Sequence, residues 1–146
     1  MRLASSSGKY LLVLTALLLS SCGSSSNRQL QSVSISPPAA DAKNFPGGQV
    51  QFVATGVFSG SSSPVTLTSN DITWCYGGST SEANATPGMC VGDIAQFASV
   101  DQNGLAQCAP LFQGSVYILA GTLSPVPTPT GVSLLKVYGS GQLTCP

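Results

Sequence analysis

Five cysteines and five carboxylates are the side chains of this 146-residue chain best suited to chemistry, and no histidine accompanies them. A Ser-His-Asp or Cys-His nucleophile needs an imidazole to take its proton, so neither arrangement exists within the chain. Cys75, Cys90, Cys108 and Cys145 are separated by 15, 18 and 37 residues. No C-x-x-C pair and no histidine is present to complete a tetrahedral zinc set. Glycoside hydrolysis needs two carboxylates across a cleft. Asp41, Asp71, Glu82, Asp93 and Asp101 are scattered, and two of them have plainer roles. Asp101 opens the D-Q-N-G turn and Asp71 opens a strand, both ordinary places for a turn-stabilising acceptor. One carboxylate in D-Q-N-G falls far short of the six to eight oxygens that calcium takes. Asn84-Ala85-Thr86 has the spacing of a glycosylation sequon, which carries no chemistry of its own. The side chains therefore predict no catalysis, no metal and no cofactor.

Composition narrows the class further. Only 7% of residues are charged, against roughly 25% in soluble domains, while Ser, Thr, Gly and Pro abound. Long helices need Glu, Lys, Arg and Ala on their exposed faces and are excluded on that ground. Nucleic-acid binding is excluded too, because no basic stripe is available to neutralise phosphates. Hydrophobic residues make up 42%, many in alternating runs, which is enough to bury a core.

The fifth cysteine lies in a different setting. Arg2 and Lys9 precede a short apolar run, Leu11 to Leu19, about half the roughly 20 residues that span a bilayer as a helix. Leu19-Ser20-Ser21-Cys22 then follows: a large apolar residue, two small ones and a thiol. This stretch resembles the lipobox of bacterial lipoproteins. The resemblance implies cleavage before Cys22, a diacylglycerol thioether on its sulfur and a further acyl chain on its new amino terminus. The plainer alternative is an ordinary secretory signal with an incidental cysteine, and the even number of remaining cysteines weighs against it. Residues 1–21 then form the signal peptide, and 22–31 the lipidated cysteine with a polar tether. Nine such residues (Gly23 to Gln31) coil over roughly 15–18 Å. The mature chain keeps Arg28, Lys43 and Lys136 against five carboxylates, a net charge of −2. The absence of an aspartate after Cys22 implies, by the same resemblance, an outer-membrane address.

From Ser32 onward the period is two. "SVSIS" alternates until Pro37-Pro38 stops it, and Gly47-Gly48 turns the chain into "QVQFVATGVF". "DITWCYGG", "IAQFASVDQNGLAQC", "SVYILAG" and "VSLLKVYG" supply the remaining strands, with Asn103-Gly104 as a tight hairpin turn. The prolines of "TLSPVPTPTG" belong in a loop. The predicted fold is all-β, about seven antiparallel strands in a sandwich over residues 32–146. Alternation predicts a core of Val33, Ile35, Val50, Phe52, Ala54, Ile72, Trp74, Val100, Leu105, Val116, Ile118 and Ala120. Trp74 reads as core rather than as a sugar-stacking platform, whereas Tyr76, Tyr117 and Tyr138 are less constrained.

The V-S-I-S-P opening, the G-G-Q-V-Q-F-x-A-T-G strand, the T-W pair and the V-D-x-N-G-L hairpin, in this order, resemble the bacterial immunoglobulin-like domain, group 2, of the invasin and intimin type. The likeness runs from about Ser32 to Tyr138. It implies an immunoglobulin-like sandwich used for adhesion, binding or spacing. Three departures stand out: an insertion from Tyr76 to Asp93, a lengthened loop from Ser124 to Gly131, and four extra cysteines. Loops carry added function, so Tyr76, Thr80, Asn84, Pro125, Pro127 and Pro129 are the candidate binding-loop residues.

In an oxidising compartment four cysteines read as two disulfides with three connectivities. Cys75–Cys90 with Cys108–Cys145 is favoured. Cys75 faces away from Trp74 and can staple the insertion from outside, while Cys108 can pin a terminus that otherwise frays. The expected partners are a membrane, through the N-terminal lipid, and a protein or glycan of the cell envelope. The function expected is a non-catalytic, membrane-anchored surface module. Two alternatives accompany it: an accessory subunit of an envelope assembly docking by a strand edge, and a carbohydrate-binding module.

Overall fold

Alternation of apolar and polar residues becomes strand throughout the described part of the chain, which in the computed structural model is residues 28–79, 87–91, 97–126 and 132–146. The strands are β1 (Leu30–Ser36), β2 (Ala39–Asp41), β3 (Gln49–Gln51), β4 (Val53–Phe58), β5 (Val65–Thr66), β6 (Thr73–Ser79), β7 (Met89–Val91), β8 (Ala98–Val100), β9 (Leu105–Cys108), β10 (Gly114–Leu123) and β11 (Val132–Cys145). The chain is all-β, with two short 3-10 turns, Ala42–Asn44 and Pro46–Gly48, after β2.

The strands form two layers. One has the order β2-β11-β10-β6, with β7 added to β11. The other has two parts, β1-β4-β5 and β3-β9-β8, which Phe52 joins because it alone separates β3 from β4. Pairings are antiparallel except that of β2 with β11, Ala39–Asp41 against Gln142–Thr144. Pro37-Pro38 marks the crossing: β1 pairs with β4 in one layer, and β2 then pairs with β11 in the other. Prolines suit that crossing, since they remove donors where ladder pairing is being exchanged.

Phe52, Ile118, Leu143, Val50 and Val116 are the largest fully buried side chains, and both layers contribute to the core around them. Most of the alternation-derived positions lie there. One correction concerns phase and one the depth of burial. Ala106, not Leu105, points fully inward, because Val50 lies opposite Ala106 in the β3–β9 ladder. Trp74 is half-buried and packs against the core from its margin. Two others concern extent. β11 runs six residues past the expected end of its strand, to Cys145. β1 begins at Leu30, so pairing takes in Leu30 of the polar tether, with a register shift at Gln31 before Ser32.

Hairpin β8–β9 turns on Asp101, whose Oδ1 accepts from the N–H groups of Asn103 and Leu105, both at 2.8 Å. Gly104 has φ +83°, and a Cβ there would strike the Phe52 carbonyl and come within 2.8 Å of Trp74. Only glycine meets both demands. Thr68 and Asp71 form the turn before β6: Oδ2 of Asp71 accepts from the Thr68 N–H at 2.9 Å and from its hydroxyl at 2.8 Å.

The long axis has two distinct ends. β10 runs from Gly114, opposite Cys145, to Leu123, opposite Leu135. β1 lies alongside β11 in the same direction. A Cβ on Gly139 would lie 2.8 Å from the Val33 carbonyl, and one on Gly141 would lie 3.1 Å from Ile35. Farther along, the Gln142 N–H donates to the Pro38 carbonyl at 3.0 Å. The start of β1 is therefore at the Leu123 end, where Gln29 and Ser59 exchange hydrogen bonds of 2.8 and 3.0 Å. Phe45, Leu111 and Pro146, which flank β2, β10 and β11, lie at the Cys145 end.

Candidate functional site

The disulfides fix what the strands leave loose. Cys75–Cys90, with Cα atoms 5.5 Å apart, ties β6 to β7. Cys75 lies opposite Leu119 in the β6–β10 ladder. Both face away from the main core and form a second apolar cluster with Cys90, Leu135 and Tyr138. Gly77 makes room for it, since a Cβ there would come within 2.7 Å of Leu119. Cys108–Cys145, with Cα atoms 5.7 Å apart, joins the end of β9 to the end of β11 and so links the two layers.

Beside that second bond, at the Cys145 end, lies a cleft of about 260 Å³ bounded by Phe45, Pro110, Phe112, Pro146 and Lys43. Phe97 and Phe112 meet edge to face at 4.9 Å and support its floor. Leu111 projects next to it and is 98% exposed. The charge here is compensated: Lys43 pairs with Asp41 at 2.9 Å. Hydrogen bonding to the Lys43 side chain holds the Asp41 carboxyl below its ordinary value of 3.8, against a weaker desolvation effect, and the Lys43 N–H and charge add to the lowering. An apolar rim with a neutralised ion pair suits contact with another apolar surface. It offers no group poised to move a proton.

A second cleft, about 240 Å³, lies between β5 and the β8–β9 turn, with Trp74, Thr66, Thr68, Gln102 and Asn103 among its walls. Among the described residues, no three His, Cys, Asp or Glu side chains gather as a metal set.

The structure rearranges the candidate binding residues. Tyr76 is corrected: it is no loop residue but part of β6, 7% exposed, with its ring stacked on Phe97 at 5.9 Å. Strand β6 persists through Gly77-Gly78 to Ser79, so the inserted segment starts later than Tyr76. Pro125 is exposed and follows β10 at the Leu123 end. Cys22, Thr80, Asn84, Pro127 and Pro129 lie outside the described residues. The ladder Val132–Val91 brings the return of the insertion beside the end of the proline-containing connection. Phe45, Leu111 and Phe112 were missed. The signal was available: apolar residues beside Pro46 and Pro110, in stretches where no strand period explains them.

Compared with protein-family models, curated proteins and solved structures, the chain matches none.

Proposed function

We propose that this chain is a non-catalytic module of the cell envelope, lipid-anchored at Cys22 and built with two ends: one tethered, one presented to a partner. The observation that carries the reading is the cysteine account. Four cysteines pair in two disulfides, which leaves Cys22 alone, at L-S-S-C behind an apolar leader. Several acyl chains at about 0.8 kcal/mol per buried methylene would hold such a chain on a bilayer, with the outer membrane as the address.

An immunoglobulin-like sandwich is supported by the strand connections. Grouping β1 with β2 and β3 with β4, then counting β6, β8, β9, β10 and β11, gives seven strands. The first of these divides between both layers and pairs in parallel with the last. The fold alone does not choose among adhesion, binding and spacing. The Cys145 end, with Leu111 and the Phe45–Phe112 cleft, is the contact surface we assign to an envelope protein partner. A second reading, an accessory subunit docking by strand edge, is favoured by β8, which among the described strands pairs with β9 alone.

In-cell photo-cross-linking from Leu111, Ser99 and Tyr117 tests both. Adducts to one envelope protein from Leu111 support the end-on reading, and adducts from Ser99 alone support edge docking. Adducts confined to cytosolic proteins contradict the envelope assignment itself.

A further inference from the structure

We infer that the Leu123 end is a membrane-contact face, seated on an anionic bilayer surface by Leu123 and Val126 and flanked by Arg28 and Lys136. The inference rests on the reading of Cys22 as the lipidated residue. Three observations converge on it.

The first is apolar exposure. Leu123 is 54% exposed and Val126 60%, three residues apart in one connection with the exposed Pro125 between them. The second is where the chain leaves the domain. Gln29 is bonded to Ser59 at this same end. Five residues, Gly23 to Asn27, lie between Cys22 and Arg28, a reach of at most about 20 Å when fully extended. A lipidated Cys22 therefore keeps this end, and not the Cys145 end, next to the headgroups. β10 alone places the opposite end about 30 Å away.

The third is charge. Arg28 and Lys136 are both exposed at this end, whereas Lys43 is at the other end and pairs with Asp41. Asp71 and Asp101 are the described carboxylates toward this end, each held in a turn: Asp71 accepts from Thr68, and Asp101 accepts from the Asn103 and Leu105 N–H groups. Glu82 and Asp93 lie outside the described residues. Cations flanking exposed aliphatic side chains match an anionic lipid surface, where basic residues are drawn to headgroups and apolar ones enter the interface. The consequence is orientation: the domain stands with its Phe45–Phe112 cleft facing away from the membrane.

The test uses the full lipidated protein, purified from membranes and reconstituted in vesicles of phosphatidylethanolamine and phosphatidylglycerol. Variants V126W and L111W are compared with wild type, whose own indole is Trp74, using lipids brominated near the carbonyl end of the chains. The expected result is loss of most of the V126W emission with L111W left unquenched. Lipidated protein that floats with vesicles while V126W stays unquenched overturns the inference and leaves the anchoring reading intact. Equal quenching of both variants overturns it as well, because the domain then lies on its side. A mature mass without lipid overturns the anchoring reading, and the inference with it.

Discussion

Removing the Cys108–Cys145 bond should loosen one end of the domain selectively. The two cysteines are 37 residues apart, and closing a loop of that length contributes about 4 kcal/mol in the chain-entropy model. Cys145 is buried within the main core, so a C108A/C145A variant keeps most of the packing and deletes mainly the cross-link. Equilibrium unfolding in guanidinium, followed by Trp74 fluorescence under non-reducing conditions, should show a loss of about 4 kcal/mol against wild type. The loss should also be local. The last residues of β11 are held by Gly114–Ile118 of β10 on one side and by β2 on the other. Amide exchange should therefore quicken at Gln142–Cys145 before it quickens at Leu119–Leu123. A loss below about 1 kcal/mol, or an even loss of protection along β11, would mean that the bond constrains neither the unfolded chain nor this end.

Other outcomes follow from single positions. G104A forces a side chain into φ +83° against the Phe52 carbonyl and Trp74; a loss of about 2–3 kcal/mol with altered Trp74 emission is expected from denaturant titration. F52A empties the position that joins two strand ladders and is fully buried, and the same titration should show a loss of about 3–5 kcal/mol. Asp41 should titrate below 3.8 by NMR, and K43Q should move it back toward that value. The sign follows from linkage: a lowered folded-state value stabilises the fold above the unfolded-state value, and that contribution fades as pH falls through the folded one.

How far the sequence could be read depended on whether one face or two were buried. Where a strand has one core face, as in Val50, Phe52 and Ala54, alternation locates the inward residues directly. β10 breaks that rule because Ile118, Leu119 and Ala120 are all buried. The run "VYILA" is the mark of a strand covered on both sides, and what covers its second face is a cluster that Cys90 and Leu135 bring from elsewhere. Tyr76 was misplaced for a related reason. The expected insertion begins at Tyr76, inside the strand segment, whereas the missing side chain at Gly77 lets Leu119 pack and β6 runs on to Ser79. Leu105 slipped by one residue because the Asp101-bonded turn sets the phase of β9, and alternation cannot see a turn's register. The two-ended arrangement was not legible at all. It depends on β1 packing beside β11, an approach of residues about a hundred positions apart in the chain, such as Val33 to Gly139.

The intact mass of the mature protein purified from membranes, with and without thiol alkylation, tests the anchoring at Cys22 most directly. The expected chain begins at Cys22, is heavier by a diacylglyceryl group and a further acyl chain, and has no alkylatable thiol until it is reduced. A chain that retains residues before Cys22, or starts there without lipid and with a free thiol, contradicts that anchoring.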